Sequence, residues 1–197
     1  MARVGRPPLP RGVKSFDAPD WEPPEAILLD TTIVVEALSP AQKHHRACVG
    51  FFERVAQTEA TLVFNRLLET ELCEVLFNIA GREQHGKDWK TARYDGRVRK
   101  RADRLLGEGL EAWEELLQAV SWIRVELDEV SQVAPTLMGR FGFRSYDAVH
   151  AATLVVAEVK DIATLDHGFT MFPEGQATIH TVQPRVASMR RWRGGTG

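Results

Sequence analysis

Residues 26–38 constrain the fold of this chain more than any other stretch. Ala26-Ile-Leu-Leu runs straight into Asp30, two threonines follow, and a second apolar run ends at Ser39-Pro40. A short unbroken apolar run marks a strand buried on both faces, as in a parallel sheet covered by helices. An aspartate at the carboxyl end of such a strand stands where open α/β sheets place their ligands. Asp and Thr are also favoured helix caps, so this stretch alone describes a helix start equally well. Three further acidic positions downstream, in similar settings, shift the balance.

A chain of 197 residues, 44% hydrophobic and 26% charged, fits one globular domain with a substantial core. No apolar run approaches the roughly 20 residues that cross a bilayer. The basic N-terminus lacks the apolar segment of a secretory signal, and a cytoplasmic protein without membrane association is expected. Cys48 and Cys73 sit in helical, apolar surroundings and read as buried free thiols rather than a disulfide or zinc site. The net charge of -2 selects no partner, but its distribution is uneven.

Residues 1–25 carry six of the ten prolines together with Arg3, Arg6, Arg11 and Lys14, and read as an extended, mobile leader. A single α/β domain over 26–183 is expected, with a basic tail at 184–197. Pro40 is placed to open the first helix, and His44 and His45 read as boundary residues. Thr61–Phe64 is a second strand, and Asn65 can cap the helix that follows. That helix turns Leu68, Leu72, Val75, Leu76 and Ile79 to one side; Glu69 and Glu71 flank the apolar face almost symmetrically, while Glu74 points away as solvated surface. The wheel does not choose between Glu69 and Glu71. Residues 81–104 form a basic helical insertion in which nine Lys or Arg stand against four acids, with Trp89 and Tyr94 among them. Positive charge with interleaved aromatics suits a phosphate backbone and unstacked bases, although a solvated helix pair has a similar composition.

A helix from Leu105, interrupted at Gly107 and Gly109, leads to a half-buried strand at Ser121–Leu127. Asp128 is placed to cap the next helix, which ends at Gly139 and Gly142. Residues 145–157 are small and apolar almost all round, which predicts a buried helix with Asp147 in its first turn. A carboxylate on such a helix is costly unless it is paired or bound to a metal. Asp161–Leu165 is a short strand ending in Asp166, and Gln176–His180 is the last strand. Alternating strands and helices give a mostly parallel central sheet flanked by helices. Asp30, Asp166, Glu71 or Glu69, and Asp147 then gather at one sheet edge, provided that the Asp147 helix starts there. Crowded carboxylates need a counter-ion, and hard oxygen donors suit Mg²⁺ or Mn²⁺, which acidify water and stabilise phosphate oxygens.

Four segments carry a family resemblance: Leu28-Leu-Asp30-Thr-Thr32, Asn65-Arg-Leu-Leu-Glu-Thr-Glu71-Leu, Ser145-Tyr-Asp147-Ala-Val-His-Ala-Ala152 and Ala163-Thr-Leu-Asp166-His-Gly-Phe169. In this order, across 26–180, they resemble the PIN-domain ribonucleases, and among them the VapC-type toxins of bacterial toxin–antitoxin pairs. The resemblance implies a PIN-like fold and a Mg²⁺- or Mn²⁺-dependent endonuclease that cuts single-stranded RNA. It also implies inhibition by a small cognate antitoxin and a homodimeric state. It assigns Asp30, Glu71, Asp147 and Asp166 as metal-site acids, selecting Glu71 over Glu69 by its spacing from Asn65. Thr32 takes the hydroxyl position that hydrogen-bonds within that site. The proline-rich leader and the long basic insertion depart from the family pattern. Within the insertion and beside Asp147, Arg97, Arg99, Lys100, Arg101 and Arg144 are the candidate RNA contacts.

Two other readings share the catalytic fold: a PIN nuclease of RNA processing outside any toxin pair, and a non-catalytic PIN-like module that binds RNA or protein. An Asp-nucleophile phosphatase needs a second Asp two positions after the first, where this chain has Thr32.

Overall fold

The computed structural model describes residues 12–91, 93–173 and 175–191. Among them are six strands, β1 (Val13–Ser15), β2 (Ala26–Leu29), β3 (Thr61–Asn65), β4 (Ser121–Val125), β5 (Asp161–Ala163) and β6 (Thr178–Thr181). They form one sheet in the order β1-β6-β5-β2-β3-β4, with every pairing parallel. The helices are α1 (Thr31–Leu38), α2 (His45–Ala56), α3 (Arg66–His85), α4 (Gly96–Gln118), α5 (Leu127–Phe141), α6 (Ser145–Val156) and α7 (Gln183–Arg191). The protein is therefore of the α/β class, and the sheet is wholly parallel.

Successive residues of β2 face opposite cores. Ile27 and Leu29 join Leu62, Phe64 and Trp113 on one side, whereas Leu28 joins Val63, Ile162 and Ile179 on the other. Both faces are covered, which is why the strand is apolar without alternation. From β2 the chain moves outward to β3 and β4, then returns on the other flank as β5 and β6. The carboxyl ends of β2 and β5 thus meet at the point where strand order reverses, where a parallel sheet opens a crevice.

Several expectations are corrected. Residues 12–25 are not a mobile leader. β1 pairs with β6 (Val13 against Ile179), and Phe16 and Trp21 are buried, with ring centroids 5.2 and 5.6 Å from Phe51. Trp21 Nε1 also donates to His180 Nδ1 at 2.8 Å, and the other His180 nitrogen lies 2.7 Å from Asp161 Oδ1. Proline raised the linker signal, but two aromatics anchor the segment; residues 1–11 lie outside the described residues. The tail is also partly integral, since α7 buries Val186 and Met189; residues 192–197 lie outside the described residues. The run after Asp30 is a helix, α1, and α2 starts at His45 rather than at Pro40, with His44 buried beneath it. α4 continues unbroken through Gly107 and Gly109. At Gly109 a Cβ would collide with Leu76, so the missing side chain lets α4 close on α3. β4 is an edge strand with Trp122 and Ile123 exposed rather than half-buried. Asp128 lies inside α5, whose N-cap is Glu126, and α5 runs past Gly139 to a left-handed cap at Gly142 (φ 76°).

Candidate active site

Asp30 stands at the N-cap of α1, yet its side chain makes no cap hydrogen bond. Its Oδ2 instead accepts from the hydroxyls of Thr32 and of Thr164, the latter at 2.7 Å. Both hydroxyls are held in turn: Leu165 N donates to Thr32 Oγ1 at 3.0 Å and Asp166 N to Thr164 Oγ1 at 2.8 Å. The loop after β5 is thereby tied to the carboxylate after β2. Asp30 is buried, and that burial pushes its carboxyl above the usual range against the pull of His150 and of both threonines.

α3 enters from Asn65, whose side chain caps Leu67 N at 2.8 Å and donates to Thr153 of α6 at 2.6 Å. This fixes the start of α3 against α6. Two turns on, Glu71 Oε2 accepts from Thr31 Oγ1 and lies 2.8 Å from Nε2 of His150, a buried residue of α6. Burial raises the Glu71 carboxyl, but the hydrogen bond and charge of His150, with the Thr31 hydroxyl, outweigh it and leave the carboxyl lowered. Burial lowers the His150 imidazole, and Glu71, Asp30 and Asp147 together raise it. Each group of the pair favours the charged form of the other, and His150 Nδ1 is buried with no hydrogen-bond partner among the described residues.

Asp147, in the first turn of α6, completes the group. Its carboxyl is pushed up to about 6 by burial first, then by the charges of Asp166 and Asp30. Asp166 is exposed and caps the following 3₁₀ turn by accepting from Gly168 N at 2.8 Å. A Cβ at Gly168 would lie 2.7 Å from Asp147 Oδ2 and 3.4 Å from Asp166 Oδ1. Glycine there leaves room for the two carboxylates to converge.

Asp30, Thr32, Glu71, Asp147 and Asp166 all line one cavity of about 490 Å³ at the switch point of the sheet. Glu69 pairs with Arg124 at 3.8 Å and stays outside it, which resolves the ambiguity of the helical wheel. Glu74, read as plain surface, lines the cavity together with Val75 and Asn78 of α3. Arg144 borders a smaller cavity of about 290 Å³ that shares Asp147 and Asp166. The other basic candidates are not brought to either cavity. Arg97 pairs with Asp95, Arg101 turns back to Glu83 at 2.7 Å, and Arg99 and Lys100 are exposed on α4.

Among the described residues, no group of three or more His, Cys, Asp or Glu side chains is arranged to hold a metal ion as it stands. The donor chemistry of the cavity nevertheless fits a hard divalent cation. Its carboxylates offer oxygen alone, the room above Gly168 lets two of them converge, and the part of the upward push on Asp147 that comes from Asp166 and Asp30 is repulsion that a cation would offset.

Sequence reasoning missed His150, Thr31 and Thr164. His150 sits three residues after Asp147 in an otherwise apolar helix, and the cost of burying a polar group that singled out Asp147 applies to it equally. Thr31 follows Asp30 directly and Thr164 lies two positions before Asp166, with no spacing that marks either. No protein-family model and no curated protein matches the chain.

Proposed function

We propose that this protein is a metal-dependent endoribonuclease of the PIN-domain type, acting as the toxin of a toxin–antitoxin pair on single-stranded regions of RNA. The observation that carries this reading is the convergence of Asp30, Glu71, Asp147 and Asp166 on one cavity where strand order reverses. Asp30, Asp147 and Asp166, with Glu71 behind them, would hold Mg²⁺ or Mn²⁺. Such an ion supplies charge to phosphate oxygens and acidifies water for attack on phosphorus. The protein's own part is preorganisation: Thr32 and Thr164 hold Asp30 in one rotamer, and His150 and Thr31 hold Glu71. Among the described residues no helix is long and apolar enough to cross a membrane, and action in the cytoplasm belongs to the same reading. So do a small antitoxin that masks the cavity and a homodimer. A PIN nuclease of RNA processing would use the same residues without an antitoxin.

The test is induced expression of wild type and Asp147→Asn, with total RNA sequenced for new 5′ ends. Growth arrest with discrete cleavage sites is expected for wild type, with both lost in the variant. Asp30→Asn should behave likewise, and toxic, cleaving Asp30→Asn protein would overturn the assignment. A second reading, a non-catalytic RNA- or protein-binding module, is favoured by the satisfied state of the acids, since hydroxyls and His150 already partner Asp30 and Glu71. Soluble, folded wild type that binds RNA and produces no new ends would select it.

A further inference from the structure

The basic insertion contributes a second cavity, of about 400 Å³, lined by Glu74, Asn78, Arg82, Trp89, Lys90 and Arg93. Glu74 and Asn78 also line the acidic cavity, so the two form one continuous depression along α3. The distal half carries three cations against one carboxylate and the proximal half carries the acids. Trp89 walls the distal half. Its indole packs on the helix backbone at Gly81, where a Cβ would come within 2.9 Å of Cε3, and the ring also borders the cavity. Arg93 is steadied over the Phe77 ring, 5.2 Å from its centroid. Asn78, at the junction, has a buried Oδ1 with no hydrogen-bond partner among the described residues. A buried amide oxygen left unpaired is costly, and a donor brought by a ligand would satisfy it.

We infer that this cleft is the track on which a single-stranded RNA segment lies beside the scissile phosphate. One base stacks on Trp89, Arg82, Lys90 and Arg93 follow the phosphates, and Asn78 meets a donor of the nucleotide entering the acidic cavity. The inference deepens the nuclease reading and rests on it for the identity of the polymer. A single strand is specified because an indole stacks only on a base free of its duplex neighbours. Cations set to one side of an acidic centre also match a polyanion that must be held near carboxylates it would otherwise avoid.

The experiment measures binding of a fluorescent oligouridylate, and of a base-paired RNA duplex, to the full chain in chelator, followed by cleavage in Mg²⁺ or Mn²⁺. Trp89→Ala should weaken single-strand binding about tenfold and Trp89→Phe should restore most of it, in line with the cost of losing one stacked base. Lys90→Ala and Arg93→Ala should each flatten the dependence of affinity on salt. Lys160→Ala, at the opposite edge of the sheet, should change nothing. Wild-type affinity in both Trp89→Ala and Lys90→Ala overturns the track. So does equal binding of duplex, an equal loss in Lys100→Ala, or no binding of either RNA, the outcome expected if a protein occupies the cleft. Wild type that binds through Trp89 but never cleaves defeats the nuclease reading and leaves the track. Cleavage with an unchanged KM in Trp89→Ala defeats the track and leaves the nuclease.

Discussion

Asp147 is the residue at which stability and the proposed function pull apart. Its carboxyl, about 6 in the folded protein against 3.8 ordinarily, is raised by burial and by Asp166 and Asp30. A raised carboxylate pKa means that the native state favours the protonated form. The penalty is absent below about pH 4, grows as pH rises through 6, and is complete above it. With the half-exposed position discounted, the penalty is on the order of 1 kcal/mol. Metal-free Asp147→Asn should therefore melt about 2–4 °C above wild type at pH 8, and at the same temperature at pH 4. Melting curves in chelator across that range test the sign: a variant less stable than wild type at pH 8 would mean that Asp147 is held by favourable partners instead. Added Mg²⁺ should narrow the gap at pH 8, because a cation relieves in wild type what the amide removes. Asp30 is in a different position, since two threonine hydroxyls already share its Oδ2.

Among the elements, the strands that set the site were the legible ones. β2 and β3 announce themselves by unbroken apolar runs, because strands buried on both faces leave no room for polar residues. Asp147 is legible for the complementary reason, as a charge on an apolar helix. β1 and α7 stayed hidden. β1 has three residues and lies beside prolines, and its place depends on pairing with β6 at the far end of the chain, a contact that no local pattern encodes. The basic residues of α4 named as candidate RNA contacts lie away from both cavities for a related reason: composition locates a charged segment but not its facing, and Arg101 is spent on Glu83 across the α3–α4 pair. The hidden strand carries its own prediction. Trp21 closes the core between β1 and α2 and donates to His180. Trp21→Ala should cost about 3–5 kcal/mol, and Trp21→Phe should cost less while still lacking the hydrogen bond. Urea denaturation measures both, and a loss under 1 kcal/mol for the alanine variant would return residues 12–25 to the status of a dispensable arm.

At the scale of the whole molecule, burial is divided unevenly between the acids and the outer arm. The acids sit where two cores meet the sheet: Asp30 follows the fully buried Leu28 and Leu29, and α6 buries Ala148, His150, Ala151, Ala152, Thr153 and Leu154. The outer arm is built otherwise. Among its described residues from Arg82 to Arg104 only Val98 and Ala102 are buried, and the rest stand at least partly in water. Few apolar contacts mean a low free energy of local opening. Amide hydrogen exchange should therefore be fast over Gln84–Thr91 and slow, near the global limit, in β2, β5 and α6. On the proposed track, a soft arm would close on strands of varied sequence while the acids keep their spacing. Binding of oligouridylate in chelator should slow exchange over Gln84–Thr91 and leave β2 unchanged. If the arm already exchanges as slowly as β2 in the free protein, it is a rigid extension of the core, and the cleft beside Trp89 would have to accept its ligand without adjustment.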